Sequence, residues 1–275
     1  MIRLHRIALL SSIFLLAARS VFAASAEKTE EISWDSSPGT TVVVGTTNGD
    51  IRARTSTDQK LHVKARKVAT GSDPALVDKA LERVKIEVKK VKDRLTVSTD
   101  VPADVKGGGL WSTLFGKDVT VTVHYEILVP EGSYLELATV NGDIDCLGLA
   151  DELKVKGVNG SVSVAGHGAP ITAETVNGSL SVEIVRALPS GKVRLSTVNG
   201  AIDLEMSKAT RGTIKVDSLN GSIQTDFPVQ VQKNMVGSEI DGNLNGGEGI
   251  SISIDSLNGT IRVMELPAAG AAKAE

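Results

Sequence analysis

The sequence predicts an all-β chain: a β-solenoid of about 18–22 residues per rung, with an N-terminal α+β insertion that contains one short helix. Three observations predict it. An Asn-Gly phrase returns seven times, apolar residues alternate at period two on both sides of it, and no amphipathic helix of useful length follows Leu135. The phrase reads "TTNGDIRA" from Thr46, "TVNGDIDC" from Thr139, "GVNGSVSV" from Gly157 and "TVNGSLSV" from Thr175. It continues as "STVNGAIDL" from Ser196, "SLNGSIQT" from Ser218 and "SLNGTIRV" from Ser256.

Residues 1–23 read as a secretory signal peptide. Arg3 and Arg6 form a basic start, and Ile7 to Ala18 is apolar but for Ser11 and Ser12. Val21-Phe22-Ala23 then offers a small-x-small cleavage signal before Ala24. The apolar run is too short to span a membrane as a helix. Arg19 is an awkward charge beside that signal, which keeps an uncleaved anchor as the alternative. No cysteine follows the run closely, which argues against a lipid-modified N-terminus. With the leader removed, 27 basic residues face 33 acidic ones, a charge of −6. No transmembrane segment is expected in the mature chain, which should be soluble or surface-associated. An exported, acidic chain is not expected to bind nucleic acid.

Residues 24–130 read as a β-rich N-terminal subdomain. "LHVKARKV" and "RLTVSTDV" alternate as strands do, and "DVTVTVHYEILVP" from Asp118 is a long strand ended by Pro130. "DPALVDKALERV" predicts a helix over about 74–84, with Pro74 in its first turn and Leu76, Ala80, Leu81 and Val84 as its apolar stripe. Between Lys60 and Arg94 there are eleven Lys or Arg against five acids, which reads as a solvated face or as contact with an anionic envelope polymer. The loop "KGGGLWSTLFGKD", 106–118, sets Leu110, Trp111, Leu114 and Phe115 between glycines in a chain where aromatics are scarce. It is a candidate interaction loop, an exposed apolar finger for a partner or membrane surface, or else a loop that folds back to cap the solenoid end or the helix.

Residues 131–265 form the repeat region, with Asn141, Asn159, Asn177, Asn199, Asn220 and Asn258 spaced by 18, 18, 22, 21 and 38. The last gap is about two units, and "EIDGNLNGG" from Glu239 offers degenerate phrases to fill it. A β-meander of Asn-Gly hairpins, alone or stacked on another sheet as a sandwich, is the rival reading. Such a sheet would be apolar on one face, and no helix after Leu135 could cover it. A coil that turns a corner at each phrase solves this. The corner is also expected to send inward the residues before each Asn: Val140, Val158, Val176, Val198, Leu219 and Leu257. In the coil the asparagines, from Asn48 onward, would stack as a structural turn ladder. Asn and the following Gly49, Gly142, Gly160, Gly178, Gly200, Gly221 and Gly259 suit a corner because both tolerate positive φ. The ladder then needs no catalytic role.

Residues that carry chemistry are sparse. His62, His124 and His167 lie far apart, with no zinc or nucleophile motif around them. Asp143, Asp145, Asp203 and Asp217 could supply paired carboxylates, but other rungs carry Ser161, Ser163, Ser179 and Ser181 at such positions, so they read as solubilising residues. "GGEGISISI" from Gly246 brushes against a calcium-binding β-roll repeat and fails at Ser251 and Ser253. The Asn-x-Ser/Thr sequons at Asn159, Asn177, Asn220 and Asn258 follow from the turn phrase itself. Cys146, the only cysteine, falls on the apolar phase and reads as a buried small hydrophobe. No catalytic residue, cofactor site or metal site is expected.

The T-V-N-G-x-I-x-apolar phrase after a signal peptide resembles the bacterial putative-adhesin family of β-strand-repeat proteins. "GNLNGGEGISISIDSLNGTIRV", Gly242 to Val263, is similar to that family's C-terminal pattern. The resemblance covers roughly Thr40 to Val263 and implies an all-β, solenoid-like fold and an envelope location; it supplies no catalytic residues. The tail from 266 to 275 has no core pattern and is expected to be disordered. The function expected is a non-enzymatic exported cell-envelope protein, periplasmic, surface-bound or secreted, that contacts an envelope polymer, a glycan or a surface protein. A polysaccharide-active β-helix enzyme and a periplasmic structural or sensing module are the alternatives.

Overall fold

The computed structural model describes residues 24–100, 119–148, 152–168, 170–185, 189–234 and 237–266. Residues 1–23, expected to be a signal peptide, the 106–118 stretch with Leu110, Trp111, Leu114 and Phe115, and the residues from Pro267 onward lie outside the described residues. The chain begins with strands β1 (Ala24–Asp35), β2 (Thr41–Asn48), β3 (Ile51–Thr55) and β4 (Lys60–Gly71), then helix α1 (Pro74–Arg83). Strands β5 (Lys85–Val91), β6 (Arg94–Asp100) and β7 (Val119–Val129) follow. The repeats supply β8 (Tyr134–Asn141), β9 (Ile144–Leu147), β10 (Leu153–Asn159), β11 (Val162–His167), β12 (Ile171–Asn177) and β13 (Leu180–Ile184). They continue with β14 (Gly191–Asn199), β15 (Ile202–Met206), β16 (Gly212–Asn220) and β17 (Ile223–Thr225). The chain closes with β18 (Gln232–Asn234), β19 (Gly237–Leu244), β20 (Ile250–Asn258) and β21 (Ile261–Glu265).

These strands make two large sheets. One runs β1-β4-β7-β3-β9-β11-β13-β15-β21-β17, and the other β18-β19-β16-β20-β14-β12-β10-β8-β2-β6-β5. The two strands of every repeat lie in different sheets, so no Asn-Gly pair is the tip of a hairpin. Crossing to the opposite layer supplies the return path that parallel pairing requires. The result is parallel, in-register pairing of like with like: Asn48 beside Asn141, then Asn159, Asn177, Asn199, Asn258 and Asn220.

The core lies between the layers and follows from the alternation. In one rung Val193 and Leu195 point inward from one sheet and Ile202, Leu204 and Met206 from the other, all 0–1 % exposed. Stacked β-branched and leucine side chains fill the interior without aromatics in its middle, and each layer covers the other's apolar face. Cys146 belongs to this wall, 3 % exposed, and burial pushes its thiol pKa far upward.

Sequence order and stacking order part at the C-terminal end. The repeat at Asn258 sits between those at Asn199 and Asn220. The "EIDGNLNGG" stretch is not a rung: β19 runs antiparallel to β16 at the sheet's end, and no corner forms within it. Its Gly and Asn residues serve the connection back to β20 instead, with Asn245 in the left-handed region at φ 46°. Phe227, 5 % exposed, packs into the core from the segment between β17 and β18.

At the N-terminal end the sheets run past the first repeat. Strand β4 pairs antiparallel with β1 and β7, and α1 packs on the inner face of these strands. Asp73 caps the helix, accepting from the Ala75 N–H at 2.8 Å, with Pro74 first in the helix and Val77, Ala80 and Leu81 buried. Lys67 is on the inward phase of β4 and 1 % exposed. Its Nζ donates to Glu30 and, at 2.7 Å, to the Val84 carbonyl just past α1. A cation at a helix C-terminus offsets the charge of its unpaired carbonyls.

Candidate functional site

Each corner is built from four consecutive residues with different tasks. The Asn side chains form one continuous ladder. Asn141 Nδ2 donates to Asn48 Oδ1 at 2.7 Å, Asn159 to Asn141 and Asn177 to Asn159 at 2.9 Å, and Asn199 to Asn177 at 2.9 Å. Asn258 then donates to Asn199 at 2.8 Å and Asn220 to Asn258 at 3.0 Å. None of these asparagines has positive φ; among the described residues other than glycine only Lys92 and Asn245 do. The amide, not the backbone angle, is therefore why Asn recurs.

The glycine after it is demanded by proximity. A Cβ on Gly160 would lie 2.0 Å from the Gly142 carbonyl oxygen, and one on Gly178 would lie 1.9 Å from that of Gly160. Gly160 also has φ 143°, while Gly178 has no φ in the left-handed region, so the close approach is the shared cause. Two residues before the Asn a small residue turns inward: Thr139, Thr175, Thr197, Ser218 and Ser256 are buried, and Gly157 takes this place before Asn159. Thr139 donates to the Gly49 carbonyl at 3.1 Å, Thr175 to Gly160 at 3.3 Å and Thr197 to Gly178 at 3.0 Å. These bonds tie the corner of one rung to the next.

The residue between the two faces solvent. Val140, Val158, Val176, Val198, Leu257 and Leu219 are 37–42 % exposed, contrary to the inward placement expected of them. The alternation simply runs on to the Asn, because the bend comes after it; the inward Thr, Ser or Gly157 leaves its neighbour outside. In register they form a single aliphatic column of six, spanning about 24 Å at the ~4.8 Å strand spacing. Along one side runs the asparagine ladder, whose amides each keep a donor hydrogen and a lone pair beyond those spent on neighbours. Along the other side runs a mixed row of Ala138, Lys156, Glu174, Ser196, Asp255 and Asp217, in which Lys156 and Glu174 pair at 2.9 Å. At its C-terminal end the column borders a hollow of about 400 Å3, lined by Val198, Leu219, Leu257, Asp217, Asp255 and Glu239.

No family model matches the chain, and no curated protein matches it. Solved structures similar to it include putative adhesion proteins and a putative lipid binding protein from Parabacteroides distasonis ATCC 8503, 11 % identical with a TM-score of 0.33 over 85 % of this chain and 96 % of its own. A putative cell adhesion protein from Clostridium sporogenes ATCC 15579 is 11 % identical, with 88 % of this chain and 100 % of that one covered and a TM-score of 0.44. A putative adhesin from Bacteroides fragilis NCTC 9343 is 13 % identical over 90 % of this chain and 98 % of its own, with a TM-score of 0.34. A putative adhesin from Parabacteroides merdae ATCC 43184 is 11 % identical over 87 % and 96 %, with a TM-score of 0.33.

The candidate carboxylates are not gathered. Asp145 and Asp203 point outward on the same sheet with Ser163 and Ser181 between them, and Asp217 is on the other sheet. Arg262 clamps Asp203 with two hydrogen bonds, at 2.6 and 3.0 Å, and that bond raises the arginine's pKa further. Among the described residues no three His, Cys, Asp or Glu side chains are placed to hold a metal ion. Ser251 and Ser253 sit on the outward phase of β20. No described helix is long and apolar enough to cross a membrane. His167 ends β11, and His124 rests against Asp50, at 3.2 Å.

A second concave surface was not visible in the sequence. On the outer face of the other sheet, β3, β7, β4 and β1 frame a groove of about 460 Å3. Its wall contains His62, whose Nδ1 meets Ser33 Oγ at 2.9 Å and whose Nε2 meets both Asp58 oxygens at 2.9 and 3.0 Å. Asp58 is itself fixed by Ser56 Oγ at 2.7 Å; that bond first, and His62 next, bring its carboxyl pKa down to about 2.

Proposed function

We propose that the protein is a non-enzymatic, exported cell-envelope module that binds a repetitive surface, an envelope polymer or glycan, through the corner face of a β-solenoid. The observation that carries this reading is the register-locked column of six exposed aliphatic side chains beside a seven-membered amide ladder. A soluble fold has no need to hold aliphatic side chains in one solvent-facing line, and a line of them exceeds what scattered surface residues give. Each contact on such a face is weak, but a ligand that repeats along the stack engages several at once, which raises overall affinity without any single deep pocket. The leader-like first 23 residues support export to a compartment where such polymers are found.

The test is a co-sedimentation and glycan-binding screen comparing the native chain with the triple variant Val158→Ser, Val176→Ser, Val198→Ser. These side chains are partly exposed, so the variant should keep its melting temperature within a few degrees while binding falls at least tenfold. Retention of full binding by a folded triple variant would reject the corner face. A parallel variant lacking 106–118 should bind as the native chain does; loss there instead would transfer the function to the apolar loop.

A further inference from the structure

We propose that the groove on the sheet opposite the repeat corners is a site for a short dipolar peptide, about four residues long, with free amino and carboxyl termini. This goes beyond the corner-face reading and uses none of its residues. The floor of the groove is two rows of side chains set by strand register. In the first, Arg52, Glu126, Lys64 and Glu31 lie side by side across β3, β7, β4 and β1. In the second, Arg54, Leu128, His62 and Ser33 do the same.

Most of these groups already have partners. Arg52 lies 3.7 Å from Asp145, Lys64 lies 3.6 Å from Glu126, and both nitrogens of His62 are engaged by Ser33 and Asp58. Two charges are left over. Neither Arg54 nor Glu31 makes a side-chain hydrogen bond or ion pair with any described residue. They stand at opposite ends of the groove, a cation on β3 and an anion on β1. Three strand steps of about 4.8 Å separate their strands, and Glu31 lies two residues along β1 from Ser33, the residue in Arg54's row, so the two stand roughly 16 Å apart on the diagonal. An extended peptide rises about 3.4 Å per residue, so four residues cover about 14 Å of it and the long Arg54 and Glu31 side chains reach across the rest. Such a ligand would set its carboxylate on the Arg54 guanidinium and its ammonium on Glu31. Between the two ends Leu128, 42 % exposed, offers the apolar contact that aliphatic side chains take. The volume of about 460 Å3 lies within the range of small-ligand clefts. A simple anion would leave Glu31 facing it, and a simple cation would face Arg54; the pairing of opposite charges selects the dipolar molecule.

The experiment is isothermal titration of the purified full chain with tetra-alanine, its N-acetyl form, its C-terminal amide and the doubly blocked peptide, with di-alanine as a length control. Both contacts are solvent-exposed, so blocking either terminus should weaken binding about three- to fivefold, and di-alanine should lose as much. Arg54→Gln should bind tetra-alanine and its amide equally, and Glu31→Gln should bind the free and acetylated peptides equally. Both substitutions are at exposed positions and should leave the melting temperature in place. Equal binding of the free and doubly blocked peptides, absence of binding by any of them, or continued sensitivity of Arg54→Gln to amidation would overturn the assignment. The corner-face triple variant should bind tetra-alanine as the native chain does, which keeps the two proposals separately testable.

Discussion

Adding one methyl group at Gly160 should cost far more than removing a whole amide at Asn177. Both residues belong to the same kind of corner, yet they resist change for different reasons. A Cβ at Gly160 meets the Gly142 carbonyl at 2.0 Å, a backbone atom that cannot move without opening the stack. Overpacking and the unfavourable φ together put Gly160→Ala at roughly 2–5 kcal/mol. Asn177→Ala breaks its bonds to Asn159 and Asn199, but these amides are exposed and water replaces them, so about 1–2 kcal/mol is expected. Urea midpoints of the two variants, at unchanged slope, measure the difference. The repetition of Asn and Gly was plain in the sequence because identical local problems demand identical residues. The cause was not, because a ladder bond and a 2 Å approach exist only between rungs 18 to 93 residues apart. The outward turn of Val158 and its counterparts was misjudged for a related reason. Parity along a strand is readable, but the residue at which a corner begins is set by the stack.

Among the elements, those of the N-terminal end hold the clearest pH signature. Tyr125 points inward from β7, 1 % exposed, and its hydroxyl meets Thr99 Oγ1 on β6 at 2.8 Å, joining the two sheets. Burial pushes its pKa up to about 12 from an ordinary 10.0. The folded state therefore favours the neutral phenol more than the unfolded state does. The resulting stability is complete below pH 10 and is lost as the pH climbs through about 12, amounting to roughly 2–3 kcal/mol across that window. Denaturation midpoints followed from pH 9 to 12 should fall for the native chain and fall less steeply for Tyr125→Phe; parallel curves would remove Tyr125 as the cause. Helix α1 was legible from Pro74 and its apolar spacing, since a first-turn proline and a stripe are local signals. Lys67 was not. Alternation in "LHVKARKV" sets it on the inward phase, and only Glu30 and the end of α1, brought in from separate elements, make a buried lysine tolerable there. The groove was hidden for the same reason: Glu31, Arg54 and Leu128 are brought to one face by register alone.

For the whole molecule, the order in which rungs are stacked makes an unusual forecast about truncation. In a stack built in chain order, removing the last repeat exposes one new edge and leaves the remaining interfaces intact. Here the last repeat, β20 and β21, lies inside, pairing with β14 and β15 on one side and with β16 and β17 on the other. Ending the chain at residue 249 removes both interfaces at once. It strands β16, β17 and β19 with no neighbour in the stack and exposes the core at Leu195 and Leu204, which are 0 % exposed in the intact chain. Deleting 212–249 instead takes out the outer repeat and its antiparallel cover. It leaves residues 207–211 to join β15 to β20, a five-residue link equal in length to 148–152 between β9 and β10. The repeats of that chain would be stacked in sequence order, losing the Phe227 cover and the pairing of β20 and β21 with β16 and β17 but no pairing among the repeats that remain. The shorter deletion, of the C-terminal segment alone, should therefore be the more damaging one. It is expected to lower the melting temperature by well over the drop seen for the internal deletion and to abolish a single cooperative transition. A calorimetric scan of both chains decides it. If the C-terminal truncation melts as one transition above the internal deletion, the inserted rung is not what binds the end of the stack to the rest.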